Sequence, residues 1–224
     1  MINFTLTRSN RKTAAIYVRN GEVEVRAPHR MPKGEIEQFV SSKEQWIISN
    51  LAKQHIQAKK KESFAIDYGS AITFLGVQYT IAMGSGTRAG FDGEVFYMPP
   101  KLSAENIKAT CIQIYKMLAK SHISERVAFY AATMGVAPSA IKINSAKKRW
   151  GSCSSSKSLN FSWRLIMAEN KVIDYVVVHE LAHLVEMNHS VRFWAVVVGV
   201  MPEYKESKAR LKLLQAKLAY ENWD

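Results

Sequence analysis

The sequence predicts an α+β protein. A β-rich region is expected over residues 1–100, and a helical region over 101–224 with a small sheet set above a histidine-bearing helix. Three observations carry that expectation. The first hundred residues alternate apolar and polar positions between glycine-marked turns, which is the period of strands. The remainder carries long apolar periodicities of helical spacing. Two short strand-like runs, "IKINS" (141–145) and "LNFSW" (159–163), interrupt those helices. A chain of 224 residues, 47% hydrophobic and 22% charged, has the length and composition for a sizeable core.

Taken in order, "INFTL" (2–6) alternates and reads as the first strand. "AIYVRNGEVEV" (15–25) places Asn20-Gly21 between two alternating runs, a strong hairpin signal. Pro32 opens a helix with Ile36, Phe39, Val40 and Ile47 near one face. "KQHIQAKKKE" (53–62) is its polar tail or a linker, and Lys59–Lys61 read as solvated, with nucleic-acid contact the alternative. Strands return in "FAIDYGSAITFLGVQYTIAM" (64–83) and "GEVFYMPP" (93–100). Ser103 is an N-cap with Glu105 in the first turn. The helix it starts runs through Ile107, Cys111, Ile114 and Leu118, breaks near His122 and ends at Gly135. The two strands 141–145 and 159–163 flank a loop, "AKKRWGSCSSSKS". After "RLIMAEN" a helix capped by Asn170 is expected to run to about Met187, and Ser190 to cap the next, "VRFWAVVVGV".

Composition narrows the function classes. The start "MINFTLTRSNRKT" lacks an apolar targeting core, and the longest apolar run, "FWAVVVGVM", has nine residues and is too short to span a bilayer. Cys111 and Cys153 are far apart and in no CxxC arrangement, so free thiols in a reducing compartment are expected. Together these point to a cytoplasmic protein with no membrane association. Cys153 reads as a small space-filling residue rather than a thiol nucleophile. The net charge is +12, with +4 over residues 1–100 and +8 over 101–224. A field of that sign suits anionic partners, nucleic acid among them, and suits equally a solvated basic surface.

The chemistry gathers in "HELAHLVEMNH", residues 179–189, which holds three of the six histidines. On a helix His179 and His183, four residues apart, project within roughly 40° of each other and can share one ion. Glu180 lies beside them, able to reach a water without ligating the metal. Catalytic zinc takes three protein ligands and leaves one position open, and a nearby carboxylate then accepts the proton of the attacking water. HExxH supplies two ligands and a base within five residues. His189, ten residues after His179, is the third ligand, at the spacing of the HExxHxxGxxH motif. Glu186 stands where that motif has glycine, so the turn is expected at Asn188, a residue that tolerates left-handed backbone. The expected set is therefore one zinc per chain on His179, His183 and His189, with Glu180 as base.

"RWGSCS", "LNFSWRLIMA", "VVVHELAHLVEMNHSVRFW" and "MPEYK", in that order, resemble the YgjP-like metal-dependent hydrolases, related to the SprT-like and other HExxH zinc metallopeptidases. "GEVEVRAP" and "FVSSKEQWI" extend the resemblance over nearly the whole chain. It implies a zincin-like domain over 101–224, zinc on the three histidines and a catalytic Glu180, and Glu186 is normal at its position in that family. HExxH peptidases align extended substrate on a strand above the zinc helix, for which "LNFSW", with Asn160 in it, is the candidate. Arg149 and Ser152 are then available to hold an anion, Arg149 alternatively forming a structural ion pair. Tyr204 is a candidate donor to an oxyanion, and Met201-Pro202 a candidate floor beneath the metal. Trp150 and Trp163 read as core residues.

Three functions fit this site. The first is a zinc metallopeptidase with a peptide substrate. The second is a nucleoside triphosphate (UTP) pyrophosphatase on the same metal, although no acidic cluster for magnesium and no phosphate-binding glycine loop is visible. The third is a DNA-associated module stabilised by zinc, for which Glu180 would have no purpose. Substrate and oligomeric state are not encoded in any motif.

Overall fold

The computed structural model describes residues 2–223 and has the expected α+β fold, with six α-helices and three small mixed sheets among the described residues. Contacts divide it into two compact units: residues up to Phe64 with Ala219–Asn222, and Ala65–Leu218 with Trp223. This division falls at a different place from the change in secondary structure near residue 100.

The first unit is a three-stranded sheet backed by two helices. Strands β1 (Thr5–Ser9), β2 (Ala15–Arg19) and β3 (Glu22–Pro28) lie in the order β1-β3-β2. Asn20 and Gly21, at φ +52° and +79°, form the β2–β3 turn, the left-handed pair that a two-residue hairpin demands. The first strand starts later than "INFTL", because Thr5–Ser9 is the stretch that pairs, in parallel, with Glu24–Pro28. Helices α1 (Lys33–Ser42) and α2 (Glu44–Glu62) follow. Val23, Val25 and Ala27, alternate residues of β3, pack with Ile36, Val40 and Ile47 as the core. The tail of α2 is helix, not linker; Gln57 donates to the Ala219 carbonyl at 2.7 Å and Lys60 lies over the Tyr220 ring.

In the second unit, β4 (Ala71–Phe74), β5 (Val77–Met83), β6 (Gly90–Phe91) and β7 (Phe96–Met98) form one sheet in the order β4-β5-β7-β6. Gly76, at the β4–β5 turn, packs so closely on Glu169 that an added Cβ would sit 2.6 Å from its Cγ. Phe74, Phe96, Tyr115, Trp163 and Trp223 form a continuous run of ring contacts through the core. Trp163 is buried, as expected of a core residue.

The 31-residue helix α3 (Ala104–Met134) starts on Ser103, whose Oγ accepts from the Asn106 N–H, and ends on left-handed Gly135. It does not break at His122, because the buried stripe Ile107, Cys111, Ile114, Ala119 continues through Ile123, Val127 and Ala131. Strands β8 (Ala140–Asn144), β9 (Gly151–Cys153) and β10 (Ser158–Ser162) make the third sheet, order β8-β10-β9. The stretch expected as a plain loop thus holds a strand. A 3-10 turn, Trp163–Met167, leads into α4 (Asn170–Ala182), whose N-cap is Glu169 rather than Asn170. Helices α5 (Val191–Val200) and α6 (Tyr204–Leu218) complete the unit. No helix among the described residues is long and apolar enough to cross a membrane.

Candidate metal centre and active site

Helix α4 is apolar on nearly every side: Val172, Ile173, Tyr175, Val176, Val177, Val178, Leu181 and Ala182 are all buried. A helix of that pattern belongs inside a unit. It packs against α3, α5, α6 and β9. Asp174 and Glu180 are the buried exceptions, and Asp174 is held by Arg126 of α3 through paired contacts of 2.6 and 3.0 Å. The polar side chains of this helix therefore sit where only a specific purpose repays their desolvation.

The helix delivers His179, and its C-cap is His183. It stops at Ala182, five residues short of Met187, and the chain turns through 184–189 instead. That early end makes a left-handed residue unnecessary, and Asn188 is not among the positive-φ residues. Ser190 caps α5 as expected, its Oγ accepting from the Phe193 N–H. The turn brings His189 back so that one ligand nitrogen from each of His179, His183 and His189 lies within 4.8 Å of the others. The Nε2 atoms of His179 and His189 are 3.0 Å apart. His183 donates from Nδ1 to the Glu186 carbonyl at 3.3 Å, which leaves its Nε2 lone pair for a ligand. Glu186, in the glycine position of the longer motif, thus orients a histidine through its backbone.

Three imidazoles suit a borderline metal such as zinc. Ligation needs them neutral, and burial supplies that condition for two. It drives the His179 pKa down to about 4, with smaller contributions from His183, His189 and Lys208. It lowers His183 as well. His189 is the exposed member, so the cluster opens to solvent on its side. The donor set fits the metal that the motif implies.

Glu180 is 5% exposed, and burial raises its carboxyl to about 7 against the opposing charge of Arg149. Room for it is made by Gly151 of β9, where an added Cβ would stand 2.5 Å from Glu180 Oε1. That explains the glycine of "RWGSCS". Cys153, two residues on and on the same face, has its thiol pushed up by burial and by Glu180, so it is no thiolate nucleophile.

The strand expected to align substrate is corrected. β10, which contains Leu159–Ser162 of the "LNFSW" run, is the central strand, paired on both sides, and has no free edge to offer. The edge strands are β8 and β9, of which β9 carries the glycine that faces Glu180. Ser162 bonds to the Trp150 carbonyl and Ser154 to the Ser158 carbonyl, so Ser152 pairs with Asn160 by alternation. The N–H and C=O groups of Gly151 and Cys153 then face outward. Because Gly151 points at Glu180, Ser152 and its register partner Asn160 point to the opposite face, and the fold does not bring these side chains to the carboxylate.

The charge of Arg149 acts on Glu180 through space, and Tyr204 reaches the cluster through rings. Tyr204 stacks on Trp194 at 5.1 Å, and Trp194 on His189 at 6.0 Å. Met201-Pro202 was the expected floor. The ring that meets all three histidines is Phe193, with centroids 4.9, 4.6 and 4.7 Å from those of His179, His183 and His189. Phe193 and Trp194 were missed as site residues; their signal was the position of "FW" one turn into the helix that Ser190 caps.

The chain belongs to the YgjP-like family, whose metallopeptidase-domain model matches residues 12–213. The family match makes this a metal-dependent, peptidase-like hydrolase, and the histidine cluster is in keeping with it. Among solved structures, the metallopeptidase zymogen of Pyrococcus abyssi abylysin is similar over 44% of this chain and 97% of its own, with 21% identity and a TM-score of 0.39. The zymogen of Methanocaldococcus jannaschii jannalysin is similar over 42% and 95%, with 21% identity and a TM-score of 0.37. No curated protein matches the chain.

Proposed function

We propose that this protein is a zinc metallopeptidase holding one zinc on His179, His183 and His189, with Glu180 as general base. One observation carries the reading: the three imidazoles converge within 4.8 Å, and a buried carboxylate sits next to them outside the ligand set. A structural site fills its fourth position and has no use for such a group, which weighs against a zinc-stabilised DNA-binding module. Zinc, when bound, supplies a Lewis acid for the scissile carbonyl and acidifies water.

The chain's own residues do the rest. Glu180 accepts the proton of the attacking water and returns it to the leaving nitrogen. An acid whose pKa is near 7 can do both. The outward groups of Gly151 and Cys153 pair with an extended peptide as an added strand. Arg149 steadies the carboxylate, and Tyr204 is placed for an oxyanion. All these groups fall within 101–224, which this reading takes as the catalytic region, and the two free cysteines suit a reducing cytoplasm.

A second reading, nucleoside triphosphate hydrolysis, is favoured only by the +8 charge of residues 101–224 and by the Arg149 charge that acts on Glu180. The test is a side-by-side screen of the zinc-loaded protein and Glu180→Gln on unstructured protein and on the common nucleoside triphosphates. The variant should keep fold and zinc and lose about 10²–10⁴-fold of proteolysis. Variant-sensitive release of pyrophosphate without proteolysis would replace the first reading with the second. Equal rates in parent and variant would remove Glu180 from the mechanism.

A further inference from the structure

The peptidase reading leaves one exposed cation at the site without a purpose. Lys208 lies on α6, four residues after Tyr204 and therefore on the same side of the helix. Its Nζ sits 4.9 Å from the centroid of the Trp194 ring. That ring is itself 5.9 Å from the His179 ring and 6.0 Å from that of His189. An exposed lysine ordinarily extends its ammonium into water. Here the indole face holds it against a ring that borders the histidine cluster.

The placement of α6 follows from contacts on a neighbouring stripe. Ser207 Oγ donates to the Lys171 carbonyl at 3.2 Å, and Arg210 pairs with Glu169 at 2.5 Å. Both anchor the helix to the start of α4 and so fix where Tyr204 and Lys208 stand. Arg210 is matched by Glu169 and Glu206. Lys208 has an aromatic seat but no carboxylate partner among the described residues. A cation held at the mouth of a metal cluster with no internal counter-ion is positioned to take one from the substrate.

We propose that Lys208 is a specificity-determining residue that receives a substrate carboxylate, so that the site selects peptides bearing an Asp or Glu side chain, or a free C-terminal carboxylate, near the scissile bond. This rests on the peptidase reading and deepens it by naming the substrate class.

The test measures binding, apart from cleavage. Zinc-loaded Glu180→Gln protein is titrated with three fluorescent peptides of equal length. One has an internal Glu and an amidated end, one has Gln there and an amidated end, and one has Gln and a free C-terminal carboxylate. A carboxylate peptide should bind about fivefold more tightly than the neutral one, the size of a partly exposed ion pair, and less so at high salt. Whether the internal or the terminal carboxylate is preferred identifies its source. Lys208→Met should abolish the preference, Lys208→Arg retain it and Lys208→Glu reverse it. A preference that survives Lys208→Met, an equal loss for all three peptides, or no preference before substitution each overturns the proposal. Cleavage of the same peptides by the parent protein answers the separate question. Carboxylate selection without Glu180-dependent cleavage would sink the peptidase reading and leave the role of Lys208 standing.

Discussion

At the scale of single residues, Gly151 and Phe193 matter to the site as much as the ligands do. A methyl at 151 would stand 2.5 Å from Glu180 Oε1, so the buried carboxylate would have to shift from its position. Gly151→Ala is expected to lower kcat/KM about 10²-fold, the cost of misplacing a reacting group by about an ångström. Its zinc content should match the parent by elemental analysis. Parent-like activity would mean that Glu180 is not held where the chemistry needs it. Phe193 is fully buried against all three imidazoles. Phe193→Ala should cost about 3 kcal/mol in denaturant unfolding of the zinc-free protein, and should weaken zinc as the rings lose their seat. A stable variant of unchanged zinc affinity would show that the loop 184–189 alone positions His189.

At the scale of elements, the strand and the buried helix each make a separable prediction. In β9 the amide of Cys153 faces outward, so a proline there removes a substrate bond without breaking a ladder bond. Cys153→Pro should raise KM for an extended peptide about fivefold, one net hydrogen bond, with kcat little changed. Cys153→Ala should behave as the parent, which separates the amide from the thiol. Should Cys153→Pro leave KM untouched, β9 is not the docking edge. Helix α4 is tied to α3 by Arg126 and Asp174, whose side chains are 25% and 12% exposed. Asp174→Asn should destabilise by about 2 kcal/mol, since it leaves a half-buried guanidinium without its charge partner. A change in chemical-denaturation midpoint checks it, and no change would make the pair incidental.

At the scale of the whole molecule, ligand binding and folding are linked. A metal held by α4 and the turn after it binds the folded chain and not the unfolded one. Zinc at a hundredfold over its Kd should therefore add about 2.7 kcal/mol to stability, and a chelator should remove it. Thermal unfolding across a zinc titration measures this. His189→Ala should flatten the response, because two imidazoles from one helix hold zinc poorly. An undiminished response in that variant would mean that His189 is no ligand.

Much of this molecule is local and was legible in the chain. The Asn20-Gly21 hairpin, the Ser103, Gly135 and Ser190 caps, and the α4 histidines each depend on neighbours within a turn or two, so short-range chemistry determines them. The spacing of "HELAHLVEMNH" likewise named the three residues that converge, because the helix fixes two and a short turn can reach the third. What the tertiary structure decided is everything that depends on partners distant in sequence. α3 runs unbroken past His122 because its lower half buries a stripe. β10 is central rather than an edge because Ala140–Asn144 and Gly151–Cys153 pair with it from either side. Ser152 and Asn160 face away from Glu180 because pleating alternates and Gly151 takes the inner position. Phe193 lies under the histidines, and Lys208 beside them, because α5 and α6 fold back onto α4. Periodicity states which residues are apolar, but only packing states what they are packed against.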